Sequence, residues 1–137
     1  MVDYYIKYAK LTRLKRKAYQ AQQNNHSEVA GLLSIDSTGQ IEFHFIENLS
    51  NKPYSYSITK KQINECQKEL PKEKKILGTF HSHPLTAAIP GKADIKNGFY
   101  KSHELIYDVC GDTARLWKKI KSTSKYKIKE IPIKIIY

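Results

Sequence analysis

The sequence predicts a mixed α/β (α+β) fold, a single mixed β-sheet flanked by about three helices. Two observations carry that expectation. Apolar positions recur at a period of 3.6 in some segments and of 2 in others, so helical and extended stretches interleave along the chain. The length of 137 residues, with 40% hydrophobic and 27% charged residues, suits one domain, residues 1–137, that buries a core without disulfide staples. Six Gly and five Pro, with no internal repeat, exclude collagen-like and low-complexity chains.

Each element has its own signal. Tyr4 to Tyr8 is short and aromatic, as a strand would be. Leu11 to Gln23 predicts a helix, because Leu11, Leu14, Ala18 and Ala21 fall on one face. Val29 to Ile35 is an apolar strand closed by the turn formers Asp36-Ser37-Thr38-Gly39. Gln40 to Glu47 then alternates, with Ile41, Phe43 and Phe45 on one side, which makes the pair a hairpin. After a loop at Asn48 to Pro53, Thr59 caps a helix through Leu70, with Ile63, Cys66 and Leu70 on its apolar face and Pro71 beyond. Lys75 to His83 is a strand ended by Pro84, and a loop runs to Lys92. Asp94 to Lys101 is helical, since Asp suits a first turn. Leu105 to Cys110 and Ala114 to Ile120 are strands about Gly111-Asp112. Tyr126 to Tyr137 is a last extended segment, placed at an edge by Pro132.

Charge and cysteines bound the function. Lys and Arg number 24 against 13 Asp and Glu, a formal net charge of +11. That excess suits an acidic partner, and its segments Lys7 to Lys17 and Lys118 to Lys134 are the candidate docking surface. Nucleic acid is not the expected partner, because no aromatic-basic recognition motif accompanies the charge. The two cysteines lie outside any CxxC pair, no apolar run is long enough for a membrane helix, and the N-terminus MVDYYIKYAK has no signal-peptide stretch. A cytoplasmic protein is therefore expected. Oligomeric state leaves no mark on the sequence.

The chemistry gathers at Gly78-Thr79-Phe80-His81-Ser82-His83-Pro84, with Asp94 ten residues after the Pro. On a helix, residues i and i+2 point about 200° apart. On a strand they share a face about 6.6 Å apart, where two imidazoles converge on one ion. Asp94 returns from the start of the next helix as a third ligand. Two His and one carboxylate leave the fourth tetrahedral position of zinc open, the pattern of catalytic sites. Such a site needs a proton acceptor that is not a ligand, and Glu28, just before the strand Val29 to Ile35, is the candidate. Ser82 faces away from the two His; with Gly91 it is a candidate for the surrounding or oxyanion region.

These residues resemble the JAMM motif of the JAB1/MPN/Mov34 metalloproteases. That pattern is a Glu before a Gly-Leu-Leu-type strand, then H-[ST]-H-P, then a Ser and an Asp. Glu28 before Gly31-Leu32-Leu33, then His81-Ser82-His83-Pro84, then Asp94 match it, and the resemblance spans roughly Leu11 to Trp117. It implies an MPN/JAB-like fold in a small prokaryotic-type member, Zn2+ held by His81, His83 and Asp94, and Glu28 as the base that activates the bound water. It implies hydrolysis of peptide or isopeptide bonds after the Gly-Gly tail of a ubiquitin-like or sulfur-carrier-like protein. The motif's Ser is replaced by Gly91, which removes a hydroxyl credited with holding the oxyanion. A backbone N–H near Gly91 or the Thr86 hydroxyl is the expected substitute; a catalytically weak interaction module is the alternative.

The remaining His and Cys residues read as structural. His44 and His103 are expected at the surface and His26 in a polar loop. Cys66 and Cys110 are expected in the core, and Trp117 in the core or at its rim. Base deamination is not expected, since the C-x-x-C of that signature is missing.

Overall fold

The structure, a computed structural model, describes residues 3–97, 99–122 and 125–137. Its elements in order are β1 (Tyr4–Lys7), α1 (Tyr8–Gln23), β2 (Ala30–Ile35), β3 (Ile41–Ile46), α2 (Lys60–Lys68), β4 (Lys75–His83), α3 (Lys92–Asn97), β5 (His103–Asp108), β6 (Thr113–Ser122), β7 (Lys125–Ile131) and β8 (Ile133–Ile136). Six strands form one mixed sheet in the order β3-β2-β4-β5-β6-β7, in which β4 and β5 are parallel and the other neighbours antiparallel. The mixed sheet with three helices is the architecture expected from the sequence.

Local signals explain most boundaries. Thr59 and Gln62 close a capping box: the Gln62 N–H donates to Thr59 Oγ1 at 3.1 Å, and the Thr59 N–H donates to Gln62 Oε1 at 2.7 Å. The hairpin of β2 and β3 turns through Asp36, whose Oδ1 accepts from the N–H groups of Thr38 and Gln40. The C-terminal extended segment is two strands rather than one. Pro132 has no N–H for a ladder, so β7 ends at Ile131 beside β6, and β8 leaves the sheet to pair in parallel with β1.

One face of the sheet packs α1. Leu11, Leu14 and Ala18 are buried against Leu33, Phe43, Phe80, Leu105 and Leu116. Gly31 lies under this layer, where any Cβ would collide with the His44 carbonyl and the Phe80 ring. Arg13 and Lys17, part of the basic run of α1, stand 5.1 and 4.9 Å from the Phe45 centroid, so part of that charge covers the protein's own aromatic surface.

Four expectations need correction. His103 is buried, because the parallel register seats it beside Gly78, whose missing side chain lets β5 close in. Its Nδ1 bonds Ser102 Oγ at 2.7 Å, and burial pushes its pKa down to about 4. Cys110 is exposed rather than core, because β5 ends at Asp108 and Cys110 falls in the following turn. Cys66 is half-buried. His44 is half-buried as well, 2.7 Å from Ser34 Oγ on the neighbouring strand.

Candidate metal centre

Alternation along β4 decides the site. Phe80 and Ser82 point to the α1 face, so Thr79, His81 and His83 point to the other. His81 is 0% exposed. Its Nε2 lies 3.1 Å from His83 Nε2 and 3.0 Å from Asp94 Oδ1, and His83 Nε2 lies 3.1 Å from Asp94 Oδ2. Asp94 reaches this point from the first turn of α3, which starts two residues earlier than the sequence suggests. The Gly91 N–H donates to Asp94 Oδ2 at 2.9 Å and fixes the carboxylate.

The donor set fits a metal ion. His83 Nδ1 donates to the Ala87 carbonyl at 2.8 Å, and His81 Nδ1 donates to Glu104 Oε1 at 2.6 Å. With both Nδ1 atoms engaged by acceptors, both Nε2 atoms are left to face each other and the Asp94 carboxylate. A proton shared between His81 and Asp94, or a cation in its place, relieves that convergence. Donors at about 2.0–2.1 Å from zinc on tetrahedral directions stand about 3.3 Å apart, close to the separations found. The shifts agree. Burial by itself would lower the His81 pKa, but hydrogen bonds to Asp94 and Glu104 raise it. Burial would raise that of Asp94, but His81 and His83 hold it well below the usual carboxylate range. The pocket favours positive charge.

Glu104, absent from the sequence reading, completes the arrangement. It is 0% exposed and faces Thr79 across the parallel pair β4 and β5. It accepts from His81, from the Thr79 hydroxyl and, at 3.3 Å, from the Tyr56 hydroxyl. The Tyr56 ring stacks on His81 at 4.7 Å between centroids. A carboxylate on the far nitrogen of a ligating imidazole sets its tautomer and orientation. One sign was visible: Glu104 is a charged residue at the head of the apolar run Leu105-Ile106-Tyr107.

Glu28 stands just ahead of β2, whose Ala30 pairs with His81. It is 7% exposed. Burial pushes its pKa up to about 7, with His81 and His83 opposing and Asp94 and Glu104 reinforcing. The Asn48 side chain holds its carbonyl at 2.9 Å. Ser82 is not in the oxyanion region. Its Oγ accepts from the Val29 N–H at 2.9 Å, beside Glu28, and so fixes the approach of that segment to β4. Gly91 has no left-handed backbone conformation that would require glycine, and a Cβ there would meet Asp94 Oδ2 at an ordinary 3.7 Å. Its N–H is already given to Asp94, and Thr86 is exposed in the loop after Pro84. Trp117, half-buried at the rim, donates Nε1–H to the Ala88 carbonyl at 2.9 Å and steadies that loop. His26 stacks on Tyr54 at 5.2 Å.

The sequence matches the family model of prokaryotic homologs of the JAB domain over residues 13–120. The chain belongs to that family. Among solved structures, one from Desulfitobacterium hafniense, determined in solution, superposes with a TM-score of 0.75 at 23% identity, covering 98% of this chain and 92% of that one. The crystal structure of a JAB1/MPN domain protein from Archaeoglobus fulgidus gives 0.65 at 19% identity, covering 97% and 99%. These likenesses show a shared JAB/MPN fold. No curated protein matches the chain. Among the described residues, no helix is long and apolar enough to cross a membrane.

Proposed function

We propose that this JAB/MPN domain is a zinc-dependent metallopeptidase or isopeptidase that cuts after the C-terminal tail of a ubiquitin-like or sulfur-carrier-like protein. The observation that carries the reading is the convergence of two Nε2 atoms and the Asp94 carboxylate, with a buried carboxyl outside that set, Glu28, beside them. His81, His83 and Asp94 would hold the ion. Bound there, zinc would polarise a carbonyl and acidify a water.

The chain's own groups do the rest. Glu28, buried and near neutrality in its pKa, takes the proton of the attacking water and returns it to the leaving amine. Glu104, Thr79 and Tyr56 keep His81 in one tautomer, and the Ala87 carbonyl does the same for His83. The zinc, the substrate and a cytoplasmic setting are parts of this proposal.

The test combines metal analysis with cleavage of a fusion to a ubiquitin-like protein ending in Gly-Gly. Purified protein should hold one zinc, and Glu28→Gln should keep the metal while losing about 10²–10⁴-fold in turnover. Protein that takes up no zinc, or cleavage indifferent to Glu28, would end the enzyme reading. One observation favours the alternative, a catalytically weak interaction module: no hydroxyl stands at position 91, and the Gly91 N–H is engaged. Space exists for the missing group, so Gly91→Ser distinguishes the two. An enzyme short of one oxyanion donor should gain turnover, since such donors are worth about 10²–10³-fold; an interaction module should gain none.

A further inference from the structure

Glu28 lies two residues ahead of β2, outside the paired stretch of that strand. The peptide unit between it and Val29 is held at both ends by side chains. The Glu28 carbonyl accepts from Asn48 Nδ2 at 2.9 Å, and the Val29 N–H donates to Ser82 Oγ at 2.9 Å. A planar unit gripped at its oxygen and at its nitrogen is fixed in orientation, so the Glu28 carboxyl swings from a set point.

Asn48 holds more than that oxygen. Its Nδ2 also donates to the Ser55 carbonyl at 3.0 Å, and its Oδ1 accepts from the N–H groups of Ser50 and Ser57, both at 2.9 Å. A primary amide offers two N–H donors and two acceptor positions, and all four are used. Two carbonyls on one side and two N–H groups on the other admit one orientation of the amide. Ser55 and Ser57 flank Tyr56. The Tyr56 ring stacks on His81 at 4.7 Å, and its hydroxyl donates to Glu104 at 3.3 Å. The loop between β3 and α2 closes round the same side chain, with the Leu49 N–H donating to the Ser57 carbonyl at 2.9 Å. One half-buried amide therefore joins two segments that meet at His81, the one before β2 and the one before α2.

We propose that Asn48 is a positioning residue of the centre, setting Glu28 and Tyr56 in fixed relation to each other and to His81. The catalytic use of that arrangement rests on the peptidase reading above; the arrangement itself does not.

The isosteric Asn48→Asp separates positioning from folding. Its carboxylate still accepts from Ser50 and Ser57, so the turn of the loop is kept, but it has no hydrogen to give Glu28 or Ser55. Turnover of the Gly-Gly fusion by the zinc-loaded variant should fall at least about tenfold and up to about 10²-fold, since a misplacement of about 1 Å costs that much. KM should stay within about twofold. In a Glu28→Gln background the same change should cost less than about twofold more, because the group being positioned has gone. In the metal-free protein, the NMR ring-to-ring contact between Tyr56 and His81 should be lost in Asn48→Asp. Wild-type turnover in Asn48→Asp, a loss carried by KM, an equal loss in the Glu28→Gln background, or an unchanged Tyr56–His81 contact overturns the proposal. If the wild-type chain takes up no zinc or is indifferent to Glu28→Gln, the peptidase reading fails instead, and the Tyr56–His81 contact in Asn48→Asp alone decides the positioning role.

Discussion

The two faces of the six-stranded sheet are built from the same strands, yet one is a mainly apolar layer and the other holds a buried polar network. On the α1 face, Phe80 meets Phe43 and Phe45 edge-on at 5.2 and 5.3 Å, and Leu105 and Leu116 fill in around it. On the other, His81 and Glu104 are as deeply buried as those leucines, and Thr79 and His83 are buried beside them. A single residue of displacement along β4 exchanges one environment for the other. Apolar burial stabilises wherever area is removed from water. Buried polar groups are tolerated only when each finds a partner. The site face meets that demand with a chain of hydrogen bonds that converges on the two Nε2 atoms and Asp94, the point a cation would occupy.

Breaking the apolar face should give the largest change in stability. Phe80→Ala should cost about 3–5 kcal/mol, read from chemical denaturation, while the protein that remains folded still binds one metal ion. If metal binding collapses in the folded fraction, the two faces are not independent.

The polar face should respond in the opposite sense. The folded-state pKa of Glu28, about 7, lies above its ordinary 4.5. Across that window the unfolded chain releases a proton that the folded chain keeps, so metal-free stability falls as pH rises through it. Glu28→Gln should therefore stabilise the metal-free protein above pH 7, by up to about 3 kcal/mol, and make little difference below pH 4.5. Denaturation with chelator at pH 4.5 and pH 8 checks the sign; a mutant less stable at pH 8 would contradict it. The residue proposed as the proton acceptor is then also one that weakens the metal-free fold.

Smaller effects sharpen the contrast further. Glu104→Gln keeps the shape but withdraws the carboxylate from His81 Nδ1, and should weaken zinc binding by about 10–100-fold, measured by competition with a chelator. Unchanged affinity would reduce Glu104 to a packing role. Trp117→Phe removes the N–H bond to Ala88 and should lower stability by about 1 kcal/mol, visible as a small shift of the denaturation midpoint with metal stoichiometry intact.

The centre was legible where chemistry follows local spacing. His81 and His83 share a face because any strand alternates, and Asp94 was in range because a helix start follows the loop after Pro84. Glu28 preceded an apolar strand, and the structure sets that strand against His81. Glu104 was not legible as a partner of His81, because nothing local states that β5 lies parallel to β4 with Thr79 opposite Glu104. His103 was misplaced for the same reason: its burial follows from sitting beside Gly78, 25 residues earlier in the chain. Cys110 looked apolar from its neighbours, but the strand stops two residues short of it.

The mixed fold, the His81-Ser82-His83-Pro84 strand end, and Asp94 and Glu28 as candidates beside it were readable from the sequence, since these rest on periodicities of 2 and 3.6 and on a short motif. Which nitrogens turn toward Asp94 was settled only by tertiary structure, because the partners of the Nδ1 atoms, Glu104 and Ala87, lie on another strand and in a loop. Tertiary structure also decided where Ser82 acts, how Pro132 sends the C-terminal strand to β1, and that Asn48 bonds to the Glu28 carbonyl. Each of those depends on strand order and register, which join residues far apart in the chain.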